Sequence, residues 1–529
     1  MARMNQLFAA IDIGSHRLQM KIVEISREGG VRVLENVDLL VPLGRDTFRD
    51  GKLSFASVRA TCEAIAGFAR LMKDYGVPDS RVVATSALRE ASNRDYMIDQ
   101  IRRLTGFDVE IINNAQEKFL TLQAIKRRAR GWSLLGPEEA LLVLDIGAGS
   151  VQLSLFEAMK LVSSQSMKLG ALRIQEAMSR MEQHTLRFAA VLEEYIEAHV
   201  ESVEPFRGSG EKTRYAVVTG ESDAIARLAA REAPTLQRRE DGMTVLSRSL
   251  FEKVYRRVID LSAEELAGQC GLSQAGADVI APALILIRKF FDKSGADELL
   301  LPHVTLVDGL VAEHAATHRG RAGLEAFEAD ILSNATHLAE RYRYHEPHTR
   351  YVTEAALLLY DRLRPVHGMQ PRDRFLLWLA ALLHDIGKFV AADPHAQYSY
   401  NLIRAFQLAG LSDVELAMVA NIARFHSSEE PDIDHDSLRK LAIPERIKTV
   451  KLIAMLRLAD ALDTSHRQKI GHLQVELDDQ QVMVRGASRL DTALERWTFQ
   501  TKTGYFREVF GLTPVLRVVN RAGKPREEP

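Results

Sequence analysis

Short apolar runs rich in β-forming residues recur along the first 320 residues, and two of them are nearly identical. They read LFAAIDIGS at 7–15 and LLVLDIGAGS at 141–150. Each leads into Asp-Ile-Gly and a small residue, and each is followed by a second strand-like run, at 16–25 and 150–158. Strand, glycine turn and strand is the pattern of a hairpin. The repeat predicts two similar α/β lobes with a cleft between them.

The periodicity of apolar positions predicts further elements in both lobes. In the first lobe we expect helices over 54–75, 93–105 and 115–130, and strands over 81–85 and 108–112. In the second lobe we expect strands over 160–168 and 215–219, and helices over 170–180, 186–204, 222–230 and 274–292.

Past Asp308-Gly309 the pattern changes. Residues 320–466 show helical periodicity without a convincing strand, and 472–486 alternates like a hairpin with Asp478-Asp479 near its turn. The predicted fold class is α/β: two similar α/β lobes, followed by an all-α domain and a small α+β C-terminal cap. The predicted domains are 1–132, 133–317, 318–468 and 469–529, with a lobe junction at 131–139, a linker at 318–323 and a frayed tail, RAGKPREEP.

Composition narrows the class of protein. The 529 residues are 46% hydrophobic and 26% charged, which is typical of a globular chain of several domains. A formal net charge of -2 gives no general attraction to nucleic acid or anionic membrane, so neither is expected as a partner. Cys62 and Cys270 fall in helix-like stretches and are expected to be buried thiols. Without a signal-peptide core or a run of eighteen apolar residues, a cytoplasmic location is predicted.

The two Asp-Ile-Gly turns have a shape suited to phosphate chemistry. Each strand brings a carboxylate, Asp12 or Asp145, to the edge of its sheet, and the following small residues leave backbone N–H groups accessible to phosphate. Carboxylates at such a point can hold Mg²⁺, which bridges phosphate oxygens. The alternative is that both are ordinary hairpin turns. The repeat with matched flanking strands favours the phosphate site.

Several blocks taken together resemble a known family, over essentially the whole chain. The two phosphate motifs of the exopolyphosphatases and guanosine pentaphosphate phosphatases are similar to LFAAIDIGSHRLQMKIVEI and LLVLDIGAGSVQLSLFE. Because that family belongs to the actin-like ATPase fold group, the resemblance implies duplicated ribonuclease H-like (actin-like) lobes. Three further blocks are similar to motifs of that family: VVATSALREASN at 82–93, SMKLGALRIQE at 166–176 and TLVDGLVAEHA at 305–315.

The resemblance implies roles for individual residues. Glu117, in DVEIINNAQEKFLTLQAIKR, takes the position of the family's catalytic glutamate, and Asp145 is expected to assist it. Asp12 and Asp145 would hold Mg²⁺ or Mn²⁺, and a homodimer is expected by analogy. The phosphate ligands implied are Gly14, Ser15, Arg89, Gly147, Gly149, Ser150 and Gly220. From the residues alone, Glu117 is better explained as a first-turn acid that complements a helix dipole, and the resemblance reverses that preference.

This chain departs from the family pattern at several positions. Gln152 stands where the second motif has an acid, and an amide cannot act as a base. His16 and Arg17 replace Asn-Ser, and Asn113-Asn114 replaces Ser-Gly. The segment GESD at 220–223 places two acids, Glu221 and Asp223, where small residues would admit phosphate. These departures leave the fold prediction intact and the question of turnover open.

A second constellation lies in the helical region. His384 and Asp385 end the apolar segment WLAALLHDIGKFV, His348 precedes them and Asp460 follows in LRLADALD. This order resembles the HD-type metal phosphohydrolases, whose imidazole and carboxylate ligands suit Mn²⁺, Fe or Zn²⁺. His395 and His426 are further candidates to line that site. The alternative is a set of core histidines, or a domain that only lengthens a polyphosphate channel and supports dimerisation.

Three functional hypotheses follow. The first is an exopolyphosphatase-like hydrolase that cleaves the terminal phosphoanhydride of inorganic polyphosphate or guanosine pentaphosphate. The second is an HD-type metal phosphohydrolase with a sensory actin-like half. The third is a regulator that binds polyphosphate or an alarmone without turnover. The basic run IKRRARGW at 125–132 either guides a polyanion or is a solvated helix face.

Overall fold

The computed structural model divides into two compact units, Met1–Phe327 (unit 1) and Glu328–Pro529 (unit 2). Each is described by itself. The structure describes residues 5–129, 139–157, 160–182, 188–201, 213–233, 235–259, 261–270, 273–406, 408–427 and 429–520.

Unit 1 begins with a five-stranded sheet in the order β3-β2-β1-β4-β5. Its strands and helices, in chain order, are β1 Gln6–Ile13, β2 Arg17–Ile25, β3 Val31–Leu40, α1 Leu43–Asp50, α2 Phe55–Tyr75, β4 Asp79–Ala84, α3 Ser86–Glu90, α4 Arg94–Thr105, β5 Val109–Ile111 and α5 Asn114–Arg128. The pairs β1–β2 and β2–β3 are antiparallel, whereas β1–β4 and β4–β5 are parallel. These elements form the first lobe.

A seven-stranded sheet of order β10-β11-β12-β9-β6-β7-β8 forms the second lobe. Its elements are β6 Ala140–Ile146, β7 Val151–Glu157, β8 Lys160–Met167, α6 Ala171–Glu182, α7 Phe188–Val200, β9 Thr213–Thr219, α8 Ser222–Glu232, β10 Gln237–Arg238, β11 Thr244–Ser247, α9 Arg248–Ile259, α10 Ala263–Cys270, α11 Gln274–Ser294, β12 Glu298–Leu301 and α12 Leu306–His318.

The two sheets share one topology. In the second lobe β8-β7-β6 is antiparallel and β6-β9-β12 is parallel, as β3-β2-β1 and β1-β4-β5 are in the first. Even the registers correspond, since Asp12 pairs with Gln19 on β2 and Asp145 pairs with Gln152 on β7. The prediction of duplicated lobes from the Asp-Ile-Gly repeat is confirmed.

The predicted elements of both lobes are present within a few residues. The main omissions were β3, α1, α9, α10 and the short strands β10 to β12. In β3 the sequence VRVLENVDLL is half-buried or exposed throughout, so it lacks the apolar face that reveals a strand. The predicted helix over 186–204 is α7, and its predicted ends lie outside the described residues, as does nearly all of the predicted junction at 131–139.

Each lobe encloses its own core. In the first, Ile11, Met20 and Val82 on one face of the sheet pack with Ile65 of α2 and Ile101 of α4. In the second, β6 and β9 are covered by the long apolar helix α11. Burying one such Leu or Ile side chain contributes about 1.5–3 kcal/mol, so these faces hold the strand ends in fixed positions. Cys62 is buried in the first core and free, as predicted.

Unit 2 is helical up to residue 461 and ends in a small sheet. Its elements are α13 Arg321–Arg341 (which begins in unit 1), α14 Glu346–Arg362, α15 Arg364–His367, α16 Pro371–Leu383, a 3-10 helix Ile386–Phe389, α17 His395–Phe406, α18 Asp413–Arg424, α19 Asp436–Arg439, α20 Ile443–Ala461, β13 Gly471–Leu477, β14 Gln481–Ser488, α21 Ala493–Phe510 and β15 Thr513–Asn520.

Two predictions for this region can be compared with the structure. The hairpin over 472–486 is confirmed as β13 and β14, which join β15 and α21 in an α+β cap. At the predicted linker over 318–323, α12 ends at His318 and α13 begins at Arg321, so only a short turn separates the two helices. The predicted frayed tail lies outside the described residues. In the described part of the chain, no helix is long and apolar enough to cross a bilayer.

Candidate active site and candidate metal centre

A cavity that is partly open to solvent lies in unit 1 where the two Asp-Ile-Gly turns end. Residues of both lobes line it. They include nine of the residues predicted from sequence: Asp12, Gly14, Ser15, Glu117, Asp145, Gly147, Gly149, Ser150 and Gly220. The prediction that Asp12 and Asp145 face a common space therefore agrees with the geometry.

The two turns have the same internal geometry. The N–H of Gly14 donates to the carbonyl of Arg17 at 2.9 Å, and the N–H of Gly147 donates to the carbonyl of Ser150 at 2.9 Å. A Cβ atom on Gly149 would overlap with Ser86 and Phe48 of the first lobe. At this point the turn of the second lobe lies directly against the side chains of the first lobe. Because glycine has no Cβ atom, it permits this close contact.

Asp12 lies near the end of β1 with one carboxylate oxygen unsatisfied. Its Oδ1 atom is buried and has no hydrogen-bond partner among the described residues. Burial raises the pKa of the Asp12 carboxyl well above its usual range, and the charges of Glu117, Asp38 and Asp145 add to the rise. A buried carboxylate without a donor is costly. A cation in the cavity would remove that cost.

Asp145 ends β6 and is better satisfied. The hydroxyl of Thr219, on the neighbouring parallel strand, donates to its Oδ1 at 2.7 Å. Burial raises the pKa of the Asp145 carboxyl, and hydrogen bonds from Thr219 and Thr121 oppose the rise. Its cross-strand neighbour Gln152 is buried, and the Oε1 atom of that amide has no partner. The register that repeats Asp12–Gln19 as Asp145–Gln152 was not noticed in the sequence, although the Asp-to-Gln spacing is the same in both.

Glu117 enters the cavity from the first turn of α5. Asn113 caps this helix: its side chain accepts from the N–H of Gln116 at 2.8 Å, and Gln116 returns a bond to the N–H of Asn113. The replacement of Ser-Gly by Asn113-Asn114 therefore keeps a strong cap. Burial raises the pKa of the Glu117 carboxyl to about 7, opposed by Arg89 and assisted by the Asp145 charge.

Arg89 contacts Glu117 and does not line the cavity. Its guanidinium lies 3.4 Å from Glu117 Oε2 and donates to the carbonyl of Ile112 at 2.6 Å and to the side chain of Asn114. The structure thus shows Arg89 orienting the glutamate. Its role as a phosphate ligand stays a prediction.

The unusual acids of the 220–223 segment are paired with bases that the sequence analysis did not connect to them. Arg17 donates to Glu221 at 2.9 Å and to Asp38 at 3.0 Å. His303, whose backbone has a φ of 54°, contacts Asp223 through Nδ1 at 2.5 Å. That bond holds the pKa of Asp223 below its usual range, although burial opposes it. These partners come from distant segments, so spacing gave no signal.

In unit 2 the four predicted metal ligands lie together. His348 Nε2 is 3.3 Å from His384 Nε2, 3.6 Å from Asp385 Oδ2 and 3.5 Å from Asp460 Oδ1. His384, Asp385 and His348 are all buried. His395 and His426 approach the other oxygen of Asp385, at 3.4 and 3.6 Å. Such a set of nitrogen and oxygen donors fits a divalent transition-metal ion.

The pKa values in this cluster are set by burial and by the mutual contacts of imidazole, ammonium and carboxylate groups. Burial alone lowers the pKa of the His348 imidazole, but hydrogen bonds to Asp460 and Asp463 outweigh it and raise that pKa to about 9. Burial lowers the pKa of His384 to about 3. The pKa of Asp385 is well below its usual range, because His384, His426 and Lys388 outweigh its burial.

Four groups that bear on this cluster were missed in the sequence. Asp463 accepts from His348 Nδ1 at 2.9 Å, Lys388 contacts Asp385 Oδ2 at 2.5 Å and Lys502 contacts Asp460 Oδ2 at 2.8 Å. His466 stacks on His348 with ring centroids 3.7 Å apart. Lys388 lies within HDIGK, so its position one turn after Asp385 could have indicated it.

Comparison with known proteins places the chain in a family. The model of the Ppx/GppA phosphatase family matches residues 22–318, more than half of the chain, and the model of Ppx/GppA phosphatase domain III matches residues 332–507. The chain belongs to the Ppx/GppA phosphatase family. Both units carry a match, and the resemblance stated from the sequence is confirmed at this level.

Named relatives within the Ppx/GppA family are distant. The chain is 23% identical over 423 residues to a guanosine-5'-triphosphate,3'-diphosphate pyrophosphatase of Photobacterium profundum, covering 79% of this chain and 80% of that protein. It is 24% identical over 470 residues to the protein of the same name from Aeromonas hydrophila, covering 86% of each. A solved exopolyphosphatase from Cytophaga hutchinsonii is 19% identical with a TM-score of 0.49, covering 59% of this chain and 98% of that one.

Membership in the Ppx/GppA family confirms the expectation of a hydrolase acting on phosphate-containing substrates.

Proposed function

We propose that the cavity of unit 1 is the active site of an exopolyphosphatase-like phosphohydrolase, which cleaves the terminal phosphoanhydride of inorganic polyphosphate or guanosine pentaphosphate. The observation that supports this most is the convergence of Asp12, Glu117 and Asp145 from two lobes on one cavity with two glycine turns. Relatives named for guanosine pentaphosphate hydrolysis support the substrate class.

In this proposal Glu117 is the general base. A pKa of about 7 leaves the carboxylate substantially ionised at neutral pH while keeping it basic enough to accept a proton from the attacking water. Arg89 and the capped start of α5 hold the side chain in place. The reaction mainly needs positioning and charge neutralisation, so a single base suffices.

The glycine turns would bind the transferred phosphate. Backbone N–H groups around Gly14, Gly147, Gly149 and Gly220, with the hydroxyls of Ser15 and Ser150, face the cavity from both lobes. Asp12 and Asp145 would hold Mg²⁺ or Mn²⁺, and the unpartnered Oδ1 of Asp12 fits that role. The ion supplies neutralisation of the phosphate charge. Arg17 and His303 offset Glu221 and Asp223, so these acids do not repel the substrate as bare charges.

Replacement of Glu117 tests the assignment. Glu117→Gln keeps the shape of the side chain and removes the base, so phosphate release from polyphosphate or guanosine pentaphosphate should fall by about 10²–10⁴-fold. Glu63→Gln, on an exposed face of α2, is the matched control and should leave the rate unchanged. Full activity in Glu117→Gln would refute the role of Glu117. If the wild-type protein binds the substrate but does not hydrolyse it, the protein is a regulator instead.

A second candidate function is favoured by the cluster of unit 2. Three of its residues, His348, His384 and Asp460, are close enough together to hold one ion, and Asp385 Oδ2 lies 3.6 Å from His348 Nε2 and 3.4 Å from His384 Nε2. We therefore propose an HD-type helical domain that binds one divalent metal. If this domain hydrolyses the substrate, Asp385→Ala abolishes phosphate release and Glu117→Gln does not. The boundaries of the four predicted domains, a homodimer and a cytoplasmic location remain proposals of the same kind, and sedimentation of the full chain tests the dimer.

A further inference from the structure

The two glycine turns of unit 1 have the same backbone bond and differ at their third residue. Residues 14–17 form the turn between β1 and β2, and residues 147–150 form the turn between β6 and β7. Each is closed by a bond from its first N–H to its fourth carbonyl. The third position of the second turn is Gly149, where a Cβ atom would overlap with side chains of the first lobe. The third position of the first turn is His16, which lines the cavity.

Backbone bonds on both sides hold His16 in place. Its carbonyl accepts from the N–H of Val41 at 3.0 Å, just past the end of β3. The carbonyl of the preceding Ser15 accepts from the N–H of Gly44, in the first turn of α1, at 2.6 Å. His16 is also 94% buried, with 6% of its surface exposed. A ligand that contacts this residue would therefore meet a group that is already positioned, which lowers the entropic cost of binding.

The ring of His16 lacks hydrogen-bond partners. Its Nε2 atom is buried without a partner, and no bond to Nδ1 is present within the described part of the chain. Burial lowers the pKa of His16 to about 4, and the charges of Arg17 and Arg45 add to the decrease while Asp38 opposes it. The ring is therefore neutral at physiological pH. It is neither a general acid nor an effective general base there, which leaves hydrogen bonding as its chemistry.

The enclosure of Nε2 indicates which nitrogen of His16 carries the proton. A neutral imidazole has one N–H donor and one acceptor nitrogen. For backbone groups, an enclosed N–H without an acceptor is rarer than an enclosed acceptor without a donor, and the same preference places the proton of His16 on Nδ1. An Nδ1–H group without an acceptor then belongs to a ring that lines the cavity.

We infer that His16 is a phosphate ligand of the unit 1 site, and that its Nδ1–H donates a hydrogen bond to an oxygen of the bound phosphate chain. The inference rests on the function proposed above, because it takes a phosphate chain to be what occupies the cavity. The resemblance does not supply it, since His16 stands where the family pattern has asparagine. A neutral donor adds to the backbone N–H groups of the two turns, and it needs no acidic partner as Arg17 does.

Binding of tripolyphosphate in the presence of Mg²⁺ tests the role of His16. The parent is the full chain carrying Glu117→Gln, so that binding is measured by calorimetry without turnover. His16→Phe keeps a planar ring and removes both nitrogens, so the dissociation constant should increase about tenfold or more. His314→Phe is the matched control and should bind as the parent does. His314 also lies in unit 1 and has a buried Nε2 without a hydrogen-bond partner, but it does not line the cavity.

A second variant separates the loss of a donor from a disturbed fold. In His16→Asn the amide nitrogen is bonded to Cγ, as Nδ1 is in histidine, so this variant should keep an affinity within about threefold of the parent. An unchanged affinity in His16→Phe, or equal losses in His16→Phe and His16→Asn, would overturn the donor role.

Nuclear magnetic resonance of the ¹⁵N-histidine-labelled parent gives a measurement that a merely structural histidine would not affect. The His16 signals, assigned by their loss in His16→Asn, should show the proton on Nδ1, and that proton signal should shift when tripolyphosphate is added. A proton on Nε2, or no shift, would overturn the inference. If His16→Phe is unfolded by circular dichroism, this measurement decides.

Failure of this inference is distinguishable from failure of the proposed function. If tripolyphosphate binding depends on His16 but the wild type releases no phosphate from polyphosphate or guanosine pentaphosphate, the proposed activity is wrong and the ligand role stands. If the wild type releases phosphate and His16→Phe binds as tightly as the parent, the activity stands and the ligand role is wrong. Absence of tripolyphosphate binding to the parent would also overturn the role of His16.

Discussion

The cavity of unit 1 and the cluster of unit 2 both gather carboxylates, yet their electrostatics are opposite. Burial raises the pKa values of Asp12, Glu117 and Asp145, since few cations oppose it. In unit 2, histidines and lysines hold the pKa values of Asp385 and Asp460 well below their usual range despite similar burial. Aspartate thus has a raised pKa in the unit 1 cavity and a lowered pKa in the unit 2 cluster. In the first site Asp12, Glu117 and Asp145 offer carboxylate oxygens, which suit a hard cation, whereas the cluster of unit 2 mixes carboxylate oxygen with imidazole nitrogen.

The largest expected effect separates the two sites by mutation. Asp145→Asn keeps the bond to Thr219 possible but removes a charge from the unit 1 cavity, so phosphate release should fall at least about a hundredfold. Mn²⁺ retained by the unit 2 cluster should not change. Asp385→Asn should instead reduce the Mn²⁺ retained by the unit 2 cluster and leave phosphate release unchanged. Loss of phosphate release in Asp385→Asn alone would mean that the reaction takes place in unit 2.

A smaller effect comes from pH. Glu117 is active as a base only when ionised, and its pKa is raised to about 7. Below that value kcat/KM should rise about tenfold per pH unit, and above it the rate should level off. Added Mg²⁺ should move the inflection to lower pH, since a nearby cation favours the ionised carboxylate.

The same shift has a consequence for stability, with a defined sign. A carboxyl whose folded pKa lies above its unfolded value binds more protons in the folded state between the two values. Its contribution to the free energy of unfolding therefore decreases as pH rises from about 4.5 to about 7. Glu117→Gln should flatten this part of the stability profile measured by urea unfolding. A profile that is unchanged by Glu117→Gln would contradict the raised pKa.

The smallest effect tests the paired departures from the family pattern. Arg17 and Glu221 form a partly buried ion pair, and each stands at a position where the family usually has a small or polar residue. A double-mutant cycle with Arg17→Met and Glu221→Gln should give a coupling of about 1 kcal/mol in unfolding free energy. Additive effects would mean that the Arg17–Glu221 ion pair makes no measurable contribution to stability.

The sequence was most informative where a pattern repeats. The echo around Asp12 and Asp145 predicted both hairpins, their shared cavity and the duplicated topology, because strand, turn and strand are local features. The sequence contained no indication of the contacts between Arg17 and Glu221 or between His348 and Asp463. These residues are brought together only by the packing of elements that are distant along the chain. The order His348, His384-Asp385, Asp460 could be recognised in the sequence. Which ring nitrogen of His384 faces the cluster of unit 2 depends on the contact of its Nδ1 atom with the backbone carbonyl of Ala381. No motif encodes that choice.

Gly149 carries a final consequence. Since a single methyl group there would overlap with Ser86 and Phe48, any larger residue at this position would have to displace those side chains. Arg17 and Glu221 also line the cavity, and their side chains can be shortened without such an overlap. We therefore expect substrate specificity to change through substitutions at positions such as these rather than at Gly149.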